Sequence, residues 1–471
     1  MIMADDLWRW DAADLAQAIR TRRISSREAV EACLGRMEAV NPKLNAVTVP
    51  LAEAALRAAD AADAAVKRGA ALGPLHGVPV TVKENVDQEG CATANGVVAF
   101  KDAIATSDSP PVANWKAAGA VIVGRTNTPA FSLRWDTDNA LRGRTFNPWL
   151  KAHTPGGSSG GAAAALAAGI GALAHGNDYG GSIRYPAYCC GVAGIRPSFG
   201  RVPAFNPSLA AERPPTAQLM SVQGPLARRV RDLRLGLAAM AGQDLRDPWW
   251  VPAPLEGRPA VRPIRVALCA DPSEQGAHPA VVDAVNRAAR ALKNAGYAVE
   301  AAEPPSVAEA AELWRRLVAN ELRLLQMRQI DELGDEGARR AVRFMIENAP
   351  ELDLGAYMKA LAERARHLRA WTAFLDRIPL VLTQASAEPP FAIGFDTESR
   401  EGMARVMTAQ RTQIAVPLLG LPAAVVPVGV ADGLPLGVQL IGPRFREDLI
   451  LDAAEVIEAQ CGLPTPIDPA W

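Results

Sequence analysis

Two periods of apolar and polar residues share this chain, and the changes of period mark its elements. Ser25 with Glu28 forms a capping box ahead of an amphipathic helical run to about Val40, where Asn41-Pro42 is expected to stop it. Leu51 to Lys67 is Ala-rich and reads as a second helix ended by Gly69. The texture then shortens. Val78–Lys83 alternates β-branched residues, and Ala120–Gly124 reads as a buried strand. Between Pro155 and Gly200 the chain is mostly Gly, Ala and Ser, yet Ala162–Ala168 is a strong helix-forming run rather than a linker. Ile264–Cys269, Pro279–Asn294 and Tyr297–Ala301 read as strand, helix, strand. Ser306 with Glu309 opens a mostly helical stretch to Arg377, with a break expected near Gly355. Val425–Val430 and Leu436–Ile441 flank Asp432-Gly433, a hairpin signal, and a last helix spans Asp448 to about Gln460. Short strands separated by helices predict an α/β fold. No repeat divides it, so the expectation is one domain over residues 1–471, with a helical subdomain at roughly 300–400.

Composition narrows the class. Apolar residues make up 49% and charged residues 21%, an ordinary globular balance. Lys plus Arg is 50 against 51 Asp plus Glu, so no basic field is present to hold nucleic acid or a membrane surface. Met1 to Trp10 reads as neither a signal nor a transit peptide, and no apolar run approaches the ~20 residues of a membrane span. The six cysteines have no metal-type spacing and fit a reducing cytosol. With five scattered histidines and no Walker-type loop, the expectation is an enzyme with no metal and no cofactor. Gly169-x-Gly171-x-x-Ala174 is a weak dinucleotide match, read as packing within an Ala-rich helical run.

Two serine loops stand out. Gly156-Gly157-Ser158-Ser159-Gly160-Gly161 is flexible and runs straight into a helix, whose free N–H groups face it. It also fits G-x-S-x-G, but Thr154-Pro155 is a poor end for the strand such an elbow requires. In Asp178-Tyr179-Gly180-Gly181-Ser182-Ile183-Arg184, successive backbone N–H groups before Ser182 suit an oxyanion. Either loop alone would pass for a glycine turn. A serine nucleophile needs a base, and two residues are candidates. His175 is near in sequence. Lys83 ends a strand that should be buried, and burial would lower its pKa. That shift is essential, since only about one ordinary lysine in a few thousand is neutral at pH 7.

Taken together, these motifs resemble the amidase signature family over nearly the whole chain. The resemblance rests on Gly73-Pro74-Leu75-His76-Gly77-Val78-Pro79 with Lys83, on Gly119–Pro129, and on the two serine loops. It closes with Gly420-Leu421-Pro422-Ala423 and Gly433–Gly442. It implies a large mixed β-sheet flanked by helices on both faces, and a Ser–cis-Ser–Lys triad. Carried over by position, Ser182 is the nucleophile. Ser158, on a cis peptide bond from Gly157, is the bridging serine, and Lys83 is the base. The oxyanion hole maps to the N–H groups of Tyr179, Gly180, Gly181 and Ser182, with Asp178 and Arg184 as braces and Ser159 as a supporting hydrogen bonder.

The implied activity is hydrolysis of an amide C–N bond in a small molecule: a primary amide, an aryl amide (anilide) or a carbamate. The enzyme would act as a cytoplasmic monomer or homodimer. The alternative is a glutaminase like the amide-cleaving subunit of the glutamine-dependent tRNA amidotransferase. Tyr185 stands where that subunit often has glutamine, which speaks against it. Tyr179 and Ala162 also depart from the common Thr and Ser. Trp135, Tyr179 and Tyr185 are the aromatic residues expected near the pocket wall.

Overall fold

Eleven strands form one mixed sheet in the computed structural model, which describes residues 4–469 and 471. In chain order they are β1 (Val47–Pro50), β2 (Pro79–Lys83), β3 (Val121–Thr126), β4 (Leu173–Asp178), β5 (Ala193–Arg196), β6 (Val222–Ala227), β7 (Arg265–Cys269), β8 (Ala298–Ala301), β9 (Leu380–Gln384), β10 (Ala423–Ala431) and β11 (Leu434–Ile441). Across the sheet they run β1-β3-β2-β4-β6-β5-β10-β11-β9-β7-β8. Every residue of β2 to β6, apart from Asn177, is buried, and so are β9 and β11. Successive side chains point to opposite faces, so burial along a whole strand means that helices cover both.

This topology brings two distant segments together. β2 pairs in parallel with both β3 and β4, with Val80 opposite Leu173 and Thr81 opposite Ala174. Parallel strands end on the same edge of a sheet, where α/β folds place their ligands. Lys83 at the end of β2 therefore meets the loop that follows Asp178 at the end of β4. The helix Gly160–Ala167 starts directly after Ser158-Ser159 and is buried on every side, as its Ala and Gly composition allows.

Most expected elements are present with ends shifted by one or two residues, and the helix Pro279–Asn294 is as predicted. At the hairpin, Asp432 (φ 49°) and Gly433 (φ 77°) both take the left-handed conformation of a type I′ turn. Two expectations are corrected. The helix that follows the Ser25 capping box runs Ser26–Leu44, straight through Pro42, which lies in the last turn. Asn41 instead serves the chain reversal, its Oδ1 accepting from the N–H groups of Ala46 and Val47. The interruption expected near Gly355 falls at residues 348–353, between the helices Glu336–Glu347 and Leu354–Arg377, the second of which the Asp353 side chain caps at Ala356. Finally, Gly169-x-Gly171-x-x-Ala174 is not helical. The helix ends at Ala167, Gly169 (φ 87°) turns the chain, and β4 begins at Leu173.

One half-buried carboxyl should make stability depend on pH. Glu458, on the helix Glu447–Cys461, accepts the Val230 N–H. Burial raises its pKa to about 7 from 4.5, and the neighbouring Asp11 and Asp232 add to that. Between these values the folded chain holds a proton that the unfolded chain releases, so stability falls as pH rises through that window. Glu458→Gln keeps the acceptor and removes the charge. The expected gain is about 1–3 kcal/mol at pH 8 and close to none at pH 4, read from melting curves at both.

Candidate active site

Lys83 is completely buried, and its Nζ lies 2.7 Å from Ser158 Oγ, 3.1 Å from Ser159 Oγ and 2.7 Å from Asn177 Oδ1. The Gly157–Ser158 peptide bond is cis. Burial drives the pKa of Lys83 well below that of an ordinary lysine, with the Asp178 charge opposing it. A neutral amine has two N–H groups and one lone pair, and the three contacts match that set. Nζ can donate to Ser159 and Asn177 while the Ser158 hydroxyl donates to Nζ. Asn177 is not among the residues that the sequence motifs point to. Its place at the end of β4, beside the parallel β2, is what brings it to Lys83.

Ser182 stands across the cavity floor from this cluster, its carbonyl accepting the Ser159 N–H at 3.2 Å. The loop before it is held from below by a buried ion pair. Arg184 grips Asp178 through Nε and Nη2 (3.0 and 2.9 Å), and Arg196 Nη1 donates to the Asp178 carbonyl at 2.6 Å. Burial alone would raise the Asp178 pKa. The Arg184 and Arg196 guanidiniums and the Gly181 N–H outweigh it and bring it to about 2. That N–H donates to Asp178 Oδ1 at 3.0 Å, so Gly181 is already engaged. The N–H groups of Tyr179, Gly180 and Ser182 have no backbone or side-chain acceptor among the described residues.

Two indoles set the direction of these groups. Trp314 Nε1 donates to the Tyr179 carbonyl at 3.0 Å, and Trp135 Nε1 to the Gly180 carbonyl at 3.3 Å. In a trans peptide the N–H points opposite to the carbonyl, so the Gly180 N–H is turned away from Trp314. Gly181 sits at φ 104°, and a Cβ there would lie 2.5 Å from Gln413 Oε1, so the turn requires glycine.

Two unequal spaces meet at Ser182. The larger, about 220 Å³, has Ser158, Ser182 and Asn177 on its floor and Phe131, Phe205, Leu209 and Leu322 among its walls. Leu322 and Gln326 reach it from a single π-helical turn, Leu322–Gln326, of the kind often found at functional sites. The smaller, about 30 Å³, is lined by Trp135, Trp314, Leu133, Val318 and Met345. Tyr179 lines both spaces, and its hydroxyl meets Thr216 Oγ1 at 2.5 Å. Tyr185 is not a wall residue. It is fully buried in the helix Arg184–Cys190 and stacks on Tyr188.

His175 does not reach the serines. Its Nε2 pairs with Gln223 Oε1 at 2.9 Å, and burial takes its pKa down to about 3 against the pull of that bond. Among the described residues no cluster of three or more His, Cys, Asp or Glu could hold a metal ion, and no helix is long and apolar enough to cross a membrane.

The profile of the amidase family matches residues 28–451. The chain belongs to the amidase family. Within it, this amidase is 51% identical over 458 residues to an indoleacetamide hydrolase of Bradyrhizobium diazoefficiens, covering 97% of this chain and 87% of the relative. It is 33% identical to a glutamyl-tRNA(Gln) amidotransferase subunit of Moorella thermoacetica, covering 96% and 97%. Among solved structures, a bacterial aryl acylamidase of the amidase signature family superposes with a TM-score of 0.82 at 28% identity, covering 98% of this amidase and 97% of that chain. The protein is therefore an amide-hydrolysing enzyme with the amidase signature fold, and the tRNA amidotransferase protein is a more distant relative.

Proposed function

We propose that this amidase hydrolyses the primary amide of an arylacetic acid, with indoleacetamide as the representative substrate, through an acyl-enzyme on Ser182. The observation that carries the reading is the buried Lys83 held against Ser158 beneath a cavity that Ser182 also faces. Neutral Lys83 draws a proton from Ser158 as Ser158 takes one from Ser182, whose Oγ attacks the amide carbon. The free N–H groups of the Tyr179–Ser182 loop receive the oxyanion. The relay returns the proton to the leaving nitrogen, ammonia departs, and water cleaves the ester by the same route.

The two spaces favour a primary amide. A recess of about 30 Å³ has room for a water- or ammonia-sized group but not for an aniline. A dry cavity of about 150 Å³ takes benzene, so the 220 Å³ space suits a bicyclic acyl group. The relatives named indoleacetamide hydrolase point the same way. The helices over 307–377 supply one wall through Val318, Glu321, Leu322 and Gln326, the basis for reading that region as a substrate cover.

Ammonia or amine release should be measured from indoleacetamide, phenylacetamide, an anilide, a carbamate and glutamine, with Ser182→Ala as the blank. Turnover of the arylacetamides that disappears in the variant is the expected result. Turnover that survives Ser182→Ala removes the nucleophile assignment. A preference for anilide or glutamine overturns the substrate class.

A further inference from the structure

Arg213 is the one cation lining the large cavity among the described residues, and it has no partner there. Its side chain makes no hydrogen bond or ion pair and stacks on no ring of the protein. Arg246, by contrast, lies over Phe205, another wall residue, at 5.7 Å. Burial pulls the Arg213 pKa below the usual arginine value, with Asp247 and Glu212 opposing. A half-buried guanidinium in a cavity wall that no group of the protein engages is available to a ligand.

The opposite charge on the same wall indicates which ligand. Glu321 also lines the cavity, but its carboxylate is tied down by the Thr216 N–H at 3.0 Å, the Thr216 hydroxyl and the Tyr357 hydroxyl at 2.5 Å. It does not pair with Arg213. An anionic acyl group would gain from Arg213 and lose against Glu321. An electron-rich aromatic ring carries no net charge, only a negative face and a positive edge, and a wall with one fixed charge of each sign complements that pattern.

Resting on the arylacetamide reading, we propose that Arg213 is a specificity-determining residue that takes the π face of the aromatic acyl group and selects electron-rich rings. The test is a series of arylacetamides from indole and methoxyphenyl through phenyl to nitrophenyl and pentafluorophenyl, with succinamate as an anionic comparison. KM and kcat are measured for wild type, Arg213→Met and Arg213→Lys, with melting curves to confirm folding. Wild-type KM should rise steadily as the ring becomes electron-poor. Arg213→Met should flatten that trend and raise KM for indoleacetamide about three- to tenfold, with the loss falling in KM rather than kcat, and Arg213→Lys should recover part of it. Equal trends in wild type and Arg213→Met overturn the proposal alone. So does a preference for succinamate that Arg213→Met abolishes, which would make Arg213 a carboxylate binder. Absence of turnover on every arylacetamide overturns the substrate reading and this proposal with it.

Discussion

Lys83→Met is expected to lower kcat/KM by about 10⁴ or more while leaving the fold intact. Methionine matches the length of the lysine stem and suits a site with no exposure. It takes away the only group that can receive the Ser158 proton. The three polar atoms it abandons, on Ser158, Ser159 and Asn177, lose the group that joins them, a cost in stability that melting curves should register. Residues that act as one relay are not additive, so Lys83→Met combined with Ser182→Ala should be about as inactive as Ser182→Ala alone. The pH profile carries the same argument. The base works only when neutral, so an ordinary lysine would make kcat/KM climb with pH up to about 10. Because burial moves Lys83 well below that value, the climb should end far earlier, with a plateau across the mildly alkaline range. A profile still rising at pH 10 would remove Lys83 from the role.

Asp178→Asn should cost about 3–5 kcal/mol of stability and most of the activity. The carboxylate neutralises Arg184 and faces Arg196, and all three side chains have zero exposure. Removing its charge strands two guanidiniums in the interior, which is worse than never having built the pair. The same carboxylate accepts the N–H groups of Gly181 and Ile183, so the loop that aims Ser182 loosens with it. The folded pKa of about 2 lies below the ordinary 3.8, so the charge stabilises fully above pH 4 and is lost as pH falls through 2. Denaturant titrations of wild type at pH 7 and pH 3 should show that acid loss. The variant, already without the charge, should be weak at both and lack this part of the slope.

The chemistry was easier to read than the frame around it. Lys83, Ser158 and Ser182 stand in loops with unusual local sequence, dense in glycine and placed at element ends, and such loops are visible one at a time. The strand β4 was hidden because Leu173–Asp178 carries His, Gly and Asn, poor strand formers that tertiary pairing with β2 and β6 holds in place. β5 and β9 were hidden because they are short and buried on both faces, so they show no alternation. Asn177, Trp314, Arg213 and Glu321 could not be found from spacing, since they reach the site from three distant stretches: Asn177 from β4, Arg213 from the connection ahead of β6, and Trp314 with Glu321 from the helix Val307–Glu321. Pro42 misled in the other direction: the helix runs on through it to Leu44, although proline has no N–H to give to the preceding turn.

The cavity draws its floor, with the Phe131 and Tyr179 side of its wall, from one length of chain and the rest of its wall from others. Lys83, Ser158, Asn177 and Ser182 all lie at sheet edges and helix starts before residue 190, whereas Phe205, Leu209, Arg213, Glu321 and Leu322 belong to the connection ahead of β6 and to the helices beyond β8. Part of the selection can therefore be inherited apart from catalysis. Grafting the 204–217 and 318–333 segments of another amidase onto this frame should shift substrate preference toward that enzyme's, while Trp314 and the bond-breaking apparatus beneath stay in place.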